Sequence, residues 1–259
     1  MARAGDAFDR IVDIVARLRA PDGCPWDREQ TLETMRPWLV EECYEVLEAL
    51  DGGDVAGHRE ELGDLLFQIV FQAQVRHEEG AFDVADVVGD IADKMWRRHP
   101  HVFGDQQGLD REAIRANWRS QKQAEKGRES ALDGLPKGLP ALMRAARLGQ
   151  KAARVGFDWP DPDGVLDKLD EEAAELKAAL AEGDAAGVQA ELGDYLFTVV
   201  NLCRHLGVDP EAALQATNRK FEVRFRAVEA GLAAEGRGLQ DADLDELEAR
   251  WQASKAKAP

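Results

Sequence analysis

EECYEVLEALDGGDVAGHREELGDLLFQIV, residues 41–70, and EEAAELKAALAEGDAAGVQAELGDYLFTVV, residues 171–200, are two versions of one segment. Set against each other without a gap, at an offset of 130, they agree at 16 of 30 positions. Chance would give about two or three, so the chain carries an internal duplication. Shared composition does not account for it. Gly53-Asp54 matches Gly183-Asp184, and Glu61-Leu-Gly-Asp64 matches Glu191-Leu-Gly-Asp194, as ordered words. Each copy has helical periodicity on both sides of a Gly-Asp break, which predicts two helices folded back on each other.

The same periodicity extends outward. Phe8, Ile11, Val12, Val15 and Leu18 mark a first amphipathic helix that stops before Ala20-Pro21-Asp22-Gly23. Thr31 is placed to cap a second helix running to about Leu50, Asp54 a third ending near Gly80, and Asp83 a fourth ending before Pro100. Alternating strand patterns are scarce and aromatic residues make up only 7%. The expectation is an all-α fold of antiparallel helical bundles with short loops. Three parts are expected: 1–104, a basic connector with a helix at 105–160, and 161–259. The connector holds 11 Lys/Arg against 7 Asp/Glu, in a chain whose net charge is −17. Within it Arg144, Arg147, Lys151 and Arg154 share one helix face, which is either a solvated basic face or a phosphate contact.

Composition excludes several classes of function. With 259 residues and 44% hydrophobic content the chain can bury a core. Its acidity disfavours nucleic acid as a partner, because a phosphate backbone needs a basic footprint. No apolar run reaches the roughly 18 residues of a membrane span, and no basic-then-apolar leader is visible. Cys24, Cys43 and Cys203 are odd in number, widely spaced and without a C-x-x-C, which points to a reducing compartment and a cytoplasmic protein.

Each copy carries the same four acids: Glu42, Glu45, Glu61 and Asp64 in the first, Glu172, Glu175, Glu191 and Asp194 in the second. An i, i+3 pair projects from one helix face, and the reversal brings a second such pair towards it. Four converging carboxylates resist ionising together unless a cation neutralises them. Hard oxygen donors favour Mg²⁺, with Mn²⁺ as a possible substitute. Neither quartet has the Glu-x-x-His of di-iron bundles. Downstream, Lys94 with Arg98 and Lys220 with Arg224 form i, i+4 cation pairs. Metal-holding carboxylates beside cations able to grip phosphate oxygens suit a nucleoside polyphosphate. The two copies differ at one telling position. Lys168, one turn before Glu172, aligns with Trp38, and only the lysine can donate to a phosphate. That difference and the basic helix before the second copy point to 161–259 as the main catalytic part.

The pattern Glu41-Glu42-x-x-Glu45 followed by Glu61-x-x-Asp64 resembles the signature of MazG-type nucleoside triphosphate pyrophosphohydrolases. Gly23-Cys-Pro-Trp-Asp27, Arg97-Arg-His-Pro-His-Val-Phe103, Arg204-His-Leu-Gly207, Asn218-Arg-Lys-Phe221 and Trp251 extend the likeness over essentially the whole chain. It is similar to the long, duplicated form of that family. The resemblance implies two tandem MazG-like helical-bundle domains completed as a homodimer. It also implies Mg²⁺-dependent hydrolysis of nucleoside triphosphates to nucleoside monophosphate and pyrophosphate, with broad base tolerance. By position, Glu172, Glu175, Glu191 and Asp194 would ligate metal, and Lys168, Lys220, Arg224, Trp251 and Lys122 would line the nucleotide site. Trp251 would either stack a base or plug a bundle end. Glu172, Glu175 and Glu171 are the catalytic candidates. Glu171 and Glu41, about 100° of helix away from the main pairs, suit either a supporting or a general-base role. The alternative is a non-catalytic dimer that binds metal and nucleotide for regulation.

Overall fold

The computed structural model describes residues 3–104, 108, 110–114, 117–118 and 130–255. Among them every regular element is helical, so the fold is all-α. Packing divides the chain into two compact units, residues 1–125 and 126–259.

The first unit begins with α1 (Ala4–Arg19), a short α2 (Pro25–Glu29), α3 (Met35–Gly52), α4 (Val55–Glu78), α5 (Val84–Arg98) and one turn, α6 (Pro100–Phe103). Its core follows the periodicity. Val15, Met35, Val70, Phe71 and Val75 are buried, and Phe8, Ile11, Val12, Leu32, Phe67 and Val84 close over them. The two expected aspartate caps form. Asp54 accepts from the amides of Ala56 and Gly57, and Asp83 makes a capping box with Asp86. The expected start at Thr31 is displaced. Thr31 and Thr34 each accept the other's backbone N–H through their hydroxyls, which builds a separate turn, and α3 begins only at Met35. Arg19 ties the loop after α1 to this unit. Its side chain, 7% exposed, pairs with Glu78 at 2.7 Å and donates to the carbonyls of Asp27 and Gln30.

The second unit holds α7 (Ala141–Ala153), α8 (Pro162–Glu182), α9 (Ala185–His205), α10 (Pro210–Ala233), a 3₁₀ turn (Leu239–Asp241) and α11 (Leu244–Lys255). Here α7, the basic helix of the connector, packs on α9 and α10, and α11 packs on α10. Val165, Val200, Val228 and Leu232 are buried.

In both units the repeated segment folds into the same hairpin, α3 on α4 and α8 on α9. The reversal needs a left-handed residue, supplied by Gly53 at φ 67° and Gly183 at φ 70°. The next residue, Asp54 or Asp184, then caps the returning helix.

Candidate active site

The hairpin turns the i, i+3 pair of one helix to face the acids of the next. Glu42, Glu45 and Glu61 each offer an oxygen, and these oxygens lie within 4.8 Å of one another; Glu172, Glu175 and Glu191 do the same. Asp64 and Asp194 stand outside these three-residue groups, close enough to act electrostatically. Burial first, then the neighbouring Glu45 and Asp64 charges, holds the Glu61 carboxyl above its ordinary value. Glu191 is raised in the same way, by burial and then by Glu175, Glu172 and Asp194, with Lys168 opposing. Burial also raises Glu42, with Gln68 opposing it and Asp64 and Glu45 adding to it. Carboxylates held above their normal range by burial and then by one another are an arrangement that a divalent cation would relieve.

The two clusters differ in what touches them. In the second, Glu172 is 4% exposed, and the Lys168 ammonium lies 3.0 Å from its Oε1 and 2.9 Å from Oε1 of Glu171. Hydrogen bonds from Lys168 to Glu171 and Glu172 hold the ammonium well above the ordinary lysine range. A side-chain cation therefore already sits against Glu172, one member of this cluster. In the first cluster the aligned residue is Trp38, 44% exposed on α3. Glu42 accepts instead from the Gln68 amide at 3.4 Å. Among the described residues no Lys or Arg pairs with Glu42, Glu45, Glu61 or Asp64. Gln68 is a neighbour that sequence reasoning missed; it aligns with Thr198, and both are buried.

The other candidates are spread more widely. Lys94 is half-buried on α5, while Arg98 is buried with its guanidinium 5.3 Å from the centre of the Trp118 ring. On α10, Lys220 is exposed and Arg224 half-buried. Trp251, on α11, packs on Phe221 with ring centres 4.9 Å apart, and Phe221 stacks on Phe225. Glu41 is exposed at the edge of the first cluster. Lys122 lies outside the described residues. Lys151 of the basic helix caps backbone, donating to the carbonyls of Ala131 and Asp133.

A brace behind the second hairpin went unread in the sequence, apart from the word Arg204-His-Leu-Gly207. On α9, Arg204 forks both guanidinium ends onto Asp158, His205 contacts the same carboxylate at 3.0 Å, and Arg204 Nε donates to Asn201. The first-named of these, Arg204, keeps Asp158 below the usual carboxylate range. Asp158 lies just before α8, so the brace anchors the entry to the helix that carries Lys168 and Glu172.

A family model described as the MazG nucleotide pyrophosphohydrolase domain matches residues 30–103, which hold the first cluster. One described as phosphoribosyl-ATP pyrophosphohydrolase matches residues 157–221, which hold the second. The nucleoside triphosphate pyrophosphohydrolase of Escherichia coli (strain K12) is 48% identical over 254 residues, covering 96% of this chain and 97% of that protein. The chain belongs to the MazG family of nucleoside triphosphate pyrophosphohydrolases. The MazG nucleoside triphosphate pyrophosphohydrolase/pyrophosphatase of Thermotoga maritima is 43% identical over 257 residues, 98% of each chain. This MazG chain therefore matches those relatives along nearly its full length, with a carboxylate cluster in each matched half.

Proposed function

We propose that this chain hydrolyses nucleoside triphosphates to nucleoside monophosphate and pyrophosphate, with the C-terminal cluster as its main active site. The observation that carries the reading is the close approach of Glu172, Glu175 and Glu191, with a lysine ammonium against Glu172, in a member of a pyrophosphohydrolase family. Glu172, Glu175, Glu191 and Asp194 would hold Mg²⁺, or Mn²⁺ in its place. When bound, such a cation neutralises phosphate charge and makes the α-phosphorus more electrophilic. The chain's own residues do the rest. Lys168, Lys220 and Arg224 bind polyphosphate oxygens, and the Trp251–Phe221 pair supplies an aromatic face for a base. A carboxylate outside the three-oxygen group accepts the proton of the attacking water, and exposed Glu171 is suited to this. The water oxygen bonds to the α-phosphorus, the bond to the β-phosphate bridge breaks, and pyrophosphate leaves with that electron pair.

The N-terminal cluster, with Lys94 and Arg98, binds metal and nucleotide but turns over slowly. Broad base tolerance follows from recognising phosphate and an aromatic-stacked ring rather than a base edge, and suits clearance of the nucleotide pool in the cytoplasm. No helix among the described residues is long and apolar enough to cross a membrane. A homodimer is supported by apolar side chains left on the surface: Leu62, Leu66 and Ile69 on one stripe of α4, Leu192 and Leu196 on α9. The test is a panel of nucleoside triphosphates with Mg²⁺, products resolved by chromatography, and a mass by light scattering at micromolar concentration. Monophosphate and pyrophosphate, lost on adding EDTA, from a particle of twice the chain mass are expected. Orthophosphate as first product, full turnover in excess EDTA, or a monomeric mass would each overturn the corresponding part.

A further inference from the structure

The two clusters have the same three-glutamate geometry, yet one holds an internal cation and the other does not. Glu172 is nearly sealed from water, and a charge so placed needs a partner. Lys168 Nζ, at 3.0 Å, is that partner. Glu42, the residue aligned with Glu172, is only half-buried and has a neutral amide at 3.4 Å. Position 38, where the matching lysine would stand, is an exposed tryptophan.

From this we infer that Lys168 is an exchangeable counter-ion, occupying the C-terminal cluster until a metal–nucleotide complex arrives, so that this site takes metal together with nucleotide while the N-terminal cluster takes metal whether or not nucleotide is bound. The inference rests on the metal-dependent reading above. A divalent ion entering the second cluster must displace an ammonium already bonded to one of its ligands, and apparent affinity falls by the fraction of molecules in which the ligand is engaged. The displaced ammonium needs a new anion. Lys168 is one helical turn from Glu172, 32% exposed, on a flexible stem, so an incoming triphosphate can receive it. Metal and nucleotide then favour each other's binding, because each removes a cost that the other would meet. The same exchange frees Oε1 of Glu171, which Lys168 holds at 2.9 Å, when substrate is in place. Nothing in the first cluster can do this, so it loads with metal at any nucleotide level.

Full-length protein and Mn²⁺ alone, followed by electron paramagnetic resonance, test the idea. Glu45→Gln isolates the C-terminal site and Glu175→Gln the N-terminal one. The C-terminal site should bind Mn²⁺ at least tenfold more weakly than the N-terminal site. Lys168→Met should tighten it at least tenfold, and Lys168→Arg, which keeps the charge, should not. Saturating α,β-methylene ATP should tighten Mn²⁺ binding at the C-terminal site, and Lys168→Met should shrink that gain. Trp38→Lys supplies the converse at an exposed position outside the buried core: it should weaken Mn²⁺ binding at the N-terminal site at least tenfold. It decides the matter if Lys168→Met fails to fold. Equal affinities at both sites, unmoved by Lys168→Met or Trp38→Lys, would overturn the counter-ion role while leaving metal-dependent hydrolysis standing. Mn²⁺ bound at neither site would remove both.

Discussion

Gly149→Ala probes the brace that anchors the entry to α8. Gly149 sits inside α7, where it faces α9. A methyl there would lie 2.6 Å from Asn201 Oδ1 and 3.2 Å from Arg204 Nε. Two effects oppose each other. Alanine is better than glycine in a helix interior by about 1 kcal/mol. Against that, 2.6 Å is far inside contact distance, so the Asn201 amide must turn away. Asn201 is 6% exposed and accepts from Arg204 Nε at 3.1 Å, a bond to a charged group. Losing such a bond costs about 1.5–3 kcal/mol. The loss wins, with a net destabilisation of about 0.5–2 kcal/mol, or roughly 2–8 °C in Tm for a unit of this size. Thermal melting by circular dichroism reads it. The control is the same substitution in an Asn201→Ala background, where the methyl has room and should be neutral or stabilising. If Gly149→Ala melts at or above the parent temperature, or is equally harmful without Asn201, the close approach does not matter and the brace argument fails.

Three further outcomes are expected. Glu175→Gln should lose at least ~100-fold in kcat/KM, about 2.7 kcal/mol of transition-state stabilisation, and Glu45→Gln much less; equal losses in folded variants would refute a dominant C-terminal site. Hydrogen bonds from Arg237 and then Arg250 hold Glu246 down to about 2. A depressed carboxylate contributes stability above its unfolded value, and loses it as pH falls through the folded one. Glu246→Gln should therefore lower Tm at pH 7, with the difference closing between about pH 4.5 and 2, and a pH-independent difference would exclude the ion pairs as the cause. Saturating Mg²⁺ should stabilise the folded chain by mass action, by about 2.7 kcal/mol at one hundred times Kd, and so raise Tm; an unchanged Tm would count against a filled site.

The hairpins were legible because their signals are local. Asp54 and Asp83 cap helices through amides two and three residues away, and the acids repeat at helical spacing. Lys168 was legible for the same reason, being one turn from Glu172. The start of α3 was misplaced because two threonines compete for the cap, and sequence does not say whether Thr31 begins a helix or a turn. The Asp158–Arg204 brace spans 46 residues, and no periodicity connects its ends. The contacts of Lys151 and Arg98 were out of reach too. A basic helix face looks the same in sequence whether its charges meet phosphate, a ring or, as Lys151 does, backbone carbonyls.

The Gly-Asp reversal has a further consequence, for length rather than composition. Between the helix that carries the paired acids and the one that returns, the chain has only two non-helical residues. One residue inserted into either helix between its acids and the turn would rotate those acids by about 100° and shift them by about 1.5 Å relative to the turn, swinging them off the face that meets their partners. Insertions elsewhere, as in the loop before α8, leave that angle untouched. The reversal therefore acts as a gauge. The side chains along both helices can drift, as they have at 14 of the 30 compared positions, but the count of residues between the two sets of acids cannot.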